Sequence, residues 1–268
     1  MELPKILIIG GGTIGSILIE GSISLTNPDN VIVADRNPNN ATKLQKEFRI
    51  KAIPLAANLA ENADIIMLAI KPQDFLSVAS ALNNQAKNKL IISVMAGISM
   101  VKIKQSLGST KIVRTMPNTP ARIGMGMTVW TATEEVTTDE REFVERLLIS
   151  FGKQMHVDSD LMIDKATAVS GSGPAYVFLF AEQLMNAAQE LGFDEKQATL
   201  LIEQTIRGTG ELLHETPELP ATLRQQVTSK GGTTEAAIES LPKSELQAAW
   251  TKAMATAFQR AKELSEIQ

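Results

Sequence analysis

The stretch KILIIGGGTIGSILIEG, residues 5–21, decides the fold. An apolar run, KILIIG (5–10), reads as a buried strand, and TIGSILIEG reads as the helix that follows it. Between them Gly10, Gly12 and Gly15 satisfy G-x-G-x-x-G, within the segment Gly10-Gly11-Gly12-Thr13-Ile14-Gly15. The pattern alone is common, but here it has the strand before it and the helix after it that dinucleotide binding requires. Gly10 permits the tight turn, Gly12 lets a pyrophosphate approach the backbone, and Gly15 lets helix and strand pack closely. The helix N-terminus then offers unpaired N–H groups and positive partial charge to the anion.

Working outward, further short apolar or β-branched runs follow at VIVAD (31–35), DIIMLAI (64–70), LIISVM (90–95), KIVRT (111–115) and MTVWTA (127–132). Several are continuously apolar, as strands buried on both faces of a parallel sheet are. Their alternation with helix-like stretches predicts βαβ units. The second run ends at Asp35, about 20 residues beyond Gly15, which suits a carboxylate bonded to ribose hydroxyls and favours NAD. Arg36 and Asn37 come next and favour the 2′-phosphate of NADP, so both cofactors stay open at this point. Ligands sit beyond the carboxyl ends of the strands. That makes the loops Ala69-Ile70-Lys71-Pro72, Met95-Ala96-Gly97 and Met116-Pro117-Asn118-Thr119-Pro120 candidates, with Asn58 on the connection before the third run. Lys71 reads as a strand-end lysine bordering the cofactor cleft in preference to a general acid.

After Thr137 the pattern turns helical. TTDEREFVERLLISFG carries Asp139 and Glu140 in the first turn of a capped helix. Further helices are predicted at 160–169, 174–191, 194–214, 219–228, 233–240 and 243–266, and the domain boundary is set near residue 160. Two small-residue segments interrupt this half. Ser170-Gly171-Ser172-Gly173-Pro174 reads as a helix start or kink. Val227-Thr228-Ser229-Lys230-Gly231-Gly232-Thr233-Thr234 reads as a nest of N–H groups beside hydroxyls, suited to a small carboxylate. An ordinary glycine loop with a threonine cap would look the same locally. Glu235 opposes an anion there unless its side chain turns away.

Composition narrows the classes. The chain has 268 residues, 44% hydrophobic and 21% charged, as a globular protein of two domains would. It has no cysteine and two histidines, His156 and His214, so thiolate chemistry is excluded and a histidine-rich metal site is not expected. A net charge of −4 and 4% aromatics argue against nucleic-acid binding. No apolar run reaches the roughly 18 residues of a membrane span. The start MELPKILIIGGG lacks the features of a signal peptide, so a cytoplasmic location is expected.

Taken together, IGGGTIG, LAIKPQ (68–73), VRTMPNTPARIGMGMT (113–128), AVSGSGPAYVF (168–178) and QVTSKGGTTEAAIESL (226–241) resemble the pyrroline-5-carboxylate reductase family over essentially the whole chain. Lys230 departs from the pattern, where the family usually has proline before the two glycines. The resemblance implies an α/β N-terminal Rossmann-like dinucleotide-binding domain, residues 1–160. An all-α C-terminal domain for substrate binding and dimerisation follows, residues 161–268. It implies hydride transfer from NADPH or NADH to the C=N carbon of 1-pyrroline-5-carboxylate, giving L-proline, the last step of proline biosynthesis. It also implies that the substrate carboxylate lies on the backbone of Ser229, Gly232, Thr233 and Thr234, with the Thr234 hydroxyl at the ring nitrogen. Ile9, Gly10, Gly11, Gly12, Thr13, Ile14 and Gly15 would line the dinucleotide, with Arg36, Asn58, Ala69, Ile70, Lys71, Pro72, Met95, Ala96 and Gly97. A homodimer, and a larger ring of dimers, are further implications.

Two other readings compete. A β-hydroxyacid dehydrogenase needs a general base, often a lysine on the central helix. Segment 174–191 has no lysine or histidine, and Lys165 is the nearest candidate. A non-catalytic dinucleotide sensor needs no substrate nest, so the GGTT loop counts against it.

Overall fold

The computed structural model describes residues 3–55, 59–82 and 84–266. All six predicted strands form: β1 (Ile6–Ile9), β2 (Val31–Asp35), β4 (Ile65–Leu68), β5 (Leu90–Ser93), β6 (Ile112–Met116) and β7 (Gly126–Ala132). Two more, β3 (Lys51–Pro54) and β8 (Gly152–His156), extend the sheet to eight strands in the order β3-β2-β1-β4-β5-β6-β7-β8. These two lie at the sheet's ends and so bury few residues. KAIP and GKQMH lack the continuous apolar signature that a doubly covered strand carries.

Strands β1 to β6 are mutually parallel, with Ile9 registered on Ala34 of one neighbour and Leu68 of the other. β7 then runs antiparallel to β6, a departure from simple βαβ alternation. The link between them holds only a 3₁₀ turn, Thr119–Ile123, too short for the crossover that a parallel pair needs.

Side chains on the central strands alternate between two cores, as the pleat requires. Ile6 and Ile8 face α1 (Thr13–Leu25), α2 (Pro38–Phe48) and α5 (Thr138–Ile149), through Ile17, Leu18, Leu44, Val144, Leu147 and Leu148. Leu7 and Ile9 face α3 (Phe75–Leu82) and α4 (Met100–Leu107), through Phe75, Val78, Ile103 and Leu107. Helix α5 starts with the predicted cap: the Thr137 hydroxyl accepts from Glu140 N while the Glu140 carboxylate accepts from Thr137 N. Partial burial pushes the Glu140 carboxyl up, but hydrogen bonds from Lys111 and Thr137 outweigh it and hold it below its ordinary value. That contribution is full above the unfolded-state value and fades as pH falls through the lower folded one.

The helical half consists of α6 (Asp160–Ala166), α7 (Gly173–Glu190), α8 (Glu195–Glu215), α9 (Pro220–Gln226), α10 (Thr233–Ser240) and α11 (Lys243–Glu266). A π-helical turn, Thr167–Gly171, joins α6 to α7, so the SGSGP segment is a helical irregularity and not a loop. Compactness divides the chain differently from the resemblance. One unit comprises residues 1–174 with 254–268, and the other Ala175–Ala253. None of the described helices is long and apolar enough to cross a membrane.

Helix α6 belongs to the first unit, and a buried ion cluster anchors it there. Arg114 on β6 has its side chain 1% exposed; its Nη1 pairs with Asp160 Oδ1 at 2.8 Å and its Nη2 with Asp164 Oδ1 at 2.5 Å. Asp160 Oδ2 also accepts from Met100 N, at the start of α4. Removing one member leaves a buried charge poorly compensated. Asp164→Ala is therefore expected to cost about 3 kcal/mol of unfolding free energy in urea titration. Lys104→Ala breaks only the exposed pair with Glu135 and should stay within about 0.5 kcal/mol.

Candidate active site

The glycine turn sits where the sheet changes direction of winding. β1 lies between β2 and β4, and a ligand crevice opens beyond the carboxyl ends of strands at such a point. Gly10 adopts φ +97°, and a Cβ there would collide with the Ala69 carbonyl at the end of β4. A Cβ on Gly15 would overlap the Gly10 carbonyl, which is the close helix–strand contact expected of that position. Gly12, the N-cap residue of α1, has open space where its Cβ would project.

Asp35 holds this turn from the next strand. Its Oδ2 accepts from Gly11 N at 2.8 Å and from Asn40 Nδ2 at 2.8 Å. Its Oδ1 accepts from Asn37 N at 2.7 Å. Asn40 Nδ2 also reaches the Gly11 carbonyl at 3.0 Å. The carboxylate read from sequence as a ribose ligand thus also brackets the glycine turn against the start of α2. Sequence reasoning missed Asn40, whose one local signal was its place in the polar run NPNN.

A cleft of about 250 Å³ follows from this packing, and it gathers Ile9, Gly10, Gly12, Asp35, Arg36, Ala69, Ile70 and Lys71. Asn37 and Ala34 line it too, with Leu55, Asp74, Ser77 and Val78, four residues that were not anticipated. Pro72 opens a 3₁₀ turn, Pro72–Asp74, with Lys71 at its N-cap. That turn brings Asp74 Oδ1 to 3.0 Å from Arg36 Nη1. Across the loop a second cleft, about 410 Å³, takes in Gly11, Gly12, Thr13, Lys43 and Arg122. Ile14 packs on the core, and Gly15 is buried.

The Met95-Ala96-Gly97 turn lies at the end of β5, outside both clefts. Met95 is buried in the core, and Gly97, at φ +70°, is covered by Ala261 and Leu264 of α11. Asn58 lies outside the described residues. Asn118, at the end of β6, accepts from Met127 N at 2.9 Å and donates to the Ser170 carbonyl at 3.1 Å, tying the strand end to the π turn. A Cβ on Gly171 would come within 2.9 Å of Met116 Cε, so that glycine serves close packing.

The second unit carries the GGTT turn on its own. Gly231 takes φ +72°, Gly232 N donates to the Ser229 carbonyl, and Gly232 caps α10 in extended conformation. Thr233 and Thr234 occupy the first turn of α10, where N–H groups have no partner within the helix. Ser229 is exposed and Thr234 half-buried. The Glu235 carboxylate folds back to accept from Gly231 N at 2.7 Å. It therefore occupies one amide of the turn but is tethered to the loop's own backbone.

The donor set fits a dinucleotide: a glycine cradle whose one open Cβ direction is at Gly12, a helix N-terminus behind it, and a guanidinium at the end of β2. Residues 5–97 match the family of "NADP oxidoreductase coenzyme F420-dependent" proteins, and residues 160–264 match "Pyrroline-5-carboxylate reductase dimerisation". A pyrroline-5-carboxylate reductase of Synechocystis sp. is 35% identical, over 97% of each chain. The structure of a pyrroline-5-carboxylate reductase from Coxiella burnetii superposes with a TM-score of 0.87 at 36% identity, covering 98% of this chain and 99% of that one. The Plasmodium falciparum enzyme, solved with NADP bound, gives a TM-score of 0.87 at 29% identity, over 99% of each.

The open space beside Gly12 generates a prediction. Gly12→Val should fold with a melting temperature within a few degrees of the parent, since the position is extended and uncrowded. It should weaken dinucleotide binding at least about tenfold by closing the approach to the helix N-terminus, measured by fluorescence titration with NADPH and NADH.

Proposed function

The chain belongs to the pyrroline-5-carboxylate reductase family, and from that premise we infer how its residues divide the work. The reaction is reduction of the C=N bond of 1-pyrroline-5-carboxylate to L-proline, the closing step of proline biosynthesis. The observation that carries it is similarity along the full chain, glycine turn and GGTT turn included. NADPH, when bound, supplies the hydride that goes to the imine carbon. A protonated cyclic imine is already electrophilic, so the residues chiefly align it, and orientation of that kind contributes about 7–11 kcal/mol.

In the proposed assignment Ile9 to Gly15 hold the pyrophosphate on the N-terminus of α1. Asp35 keeps that turn in place, and Arg36 meets the 2′-phosphate. Ala69 to Pro72 border the adenosine side. Met95 to Gly97 and Asn58 keep their proposed place along the dinucleotide. The substrate carboxylate rests on the amides around Ser229, Gly232, Thr233 and Thr234, which the unpaired first turn of α10 supports. The Thr234 hydroxyl orients the ring nitrogen; a hydroxyl is a poor acid alone, so the proton comes from solvent or a relay. The hydroxyacid-dehydrogenase alternative is disfavoured because α7 offers no lysine or histidine as base.

The dimerisation segment is proposed from residue 161 onward. What supports self-association is the second unit's lack of a core. In Ala175–Ala253 the one side chain buried is Ala198, while Val177, Phe178, Leu179 and Phe180 stand exposed in sequence on α7. Apolar surface of that extent marks an interface. We propose a homodimer that covers it and further assembly into a ring. A cytoplasmic site of action belongs to the same proposal, because the reaction draws on the cell's pool of reduced dinucleotide.

Steady-state reduction of 1-pyrroline-5-carboxylate with NADPH and then NADH tests the function; no turnover with either refutes it. Thr234→Ala should lower kcat roughly ten- to a hundredfold, the worth of a hydrogen bond to a charged group, with the NADPH Kd within about twofold. Unchanged kcat would dismiss the role given to Thr234. Phe178→Glu should shift the protein to monomer in light scattering, and an unaltered mass would remove α7 from the interface.

A further inference from the structure

We propose that Asp74 sets the chain's preference between the two dinucleotides by pairing with Arg36, the cation at the end of β2 assigned to the 2′-phosphate. The proposal rests on the dinucleotide reading above and carries it to a residue outside the motif. Arg36 and Asp74 face each other across the cleft at 3.0 Å, with side-chain exposures of 78% and 26%. Lys71 and Asp35 line the same cleft, so two cations are matched by two carboxylates. Asp35 is already committed to Gly11, Asn37 and Asn40, which uses three of a carboxylate's roughly four acceptor positions. Its charge stays local to the phosphate turn, and Asp74 is the carboxylate left facing the guanidinium.

An arriving 2′-phosphate therefore meets an arginine that already holds a carboxylate at Nη1. Asp74 takes only Nη1, so the phosphate either displaces it or binds the Nε and Nη2 edge with the carboxylate still beside it. An exposed ion pair is weak enough to exchange. After exchange the carboxylate remains beside the dianion and repels it. The 2′-hydroxyl of NADH carries no charge and meets neither obstacle. Asp74 thus lowers affinity for the phosphorylated cofactor and leaves the other nearly untouched.

Asp74→Asn is isosteric and removes only the charge. It should tighten binding of adenosine 2′,5′-bisphosphate and of NADPH about three- to tenfold at low ionic strength. It should leave 5′-AMP and NADH within about twofold, which also reports an intact cleft. Raising salt to about 0.5 M should shrink the difference, because exposed charges are screened. In an Arg36→Gln background the same substitution should lose at least half of its effect. Titration calorimetry with the two adenosine nucleotides, and fluorescence with the two dinucleotides, read all four arms. Equal or weaker NADPH binding in Asp74→Asn would overturn the proposal, as would an undiminished effect without Arg36. The readout is binding, so a chain that bound both probes but reduced no pyrroline would refute the reaction and still report on Asp74.

Discussion

The structure depends on one close approach of backbone to backbone. At the top of β1 the chain must turn into α1 while the end of β4 presses against it, and the Ala69 carbonyl leaves no room for a side chain on Gly10. The same turn must leave its amides open toward a ligand. Glycine solves the steric half, and Asp35 solves the positional half by pinning Gly11 N from the adjoining strand. A loop of three glycines has high conformational entropy when free. Tying it to a charged acceptor on a buried sheet orders the turn in advance, so the proposed anion site leaves less ordering for a ligand to impose.

The rest of the first unit supports that turn through the sheet. Both faces are covered, and the apolar alternation within β1 sends neighbouring residues to different cores. Arg114 is the exception that the core tolerates. Its charge is matched by Asp160 and Asp164, and through them the first turn of α4 and the whole of α6 are fixed to β6. Asn118 adds a second tie between the end of β6 and the π turn. A π turn costs regular hydrogen bonding and recurs at functional positions. Here it lies between the segment that the sheet anchors and the helices of the second unit.

The second unit is organised on a different principle. Its helix α8 starts with a capping box at Asp194 and Gln197, yet the unit's helices bury almost nothing by themselves. Local helix signals are enough to form them, and burial of their apolar faces is left to association. In the proposed assignment the GGTT turn shares this economy, since the groups offered to the substrate are main-chain amides at a helix start. Such a site is built from conformation and needs no dedicated cation.

Local pattern determined much of this protein. Apolar runs marked the six inner strands, cap residues and periodicity marked the helices, and glycine spacing located the tight turn between β1 and α1, because each signal lies within a few adjacent residues. The edge strands β3 and β8 escaped, since a strand covered on one side has no continuous apolar run. Only the tertiary structure decided what the polar side chains do. Arg36 meets Asp74 across 38 positions and Arg114 meets Asp164 across 50. Asp35 proved a clamp on Gly11 because folding brings two distant strand ends together. Charge partners are chosen by proximity in space, and no periodicity along the chain encodes that distance.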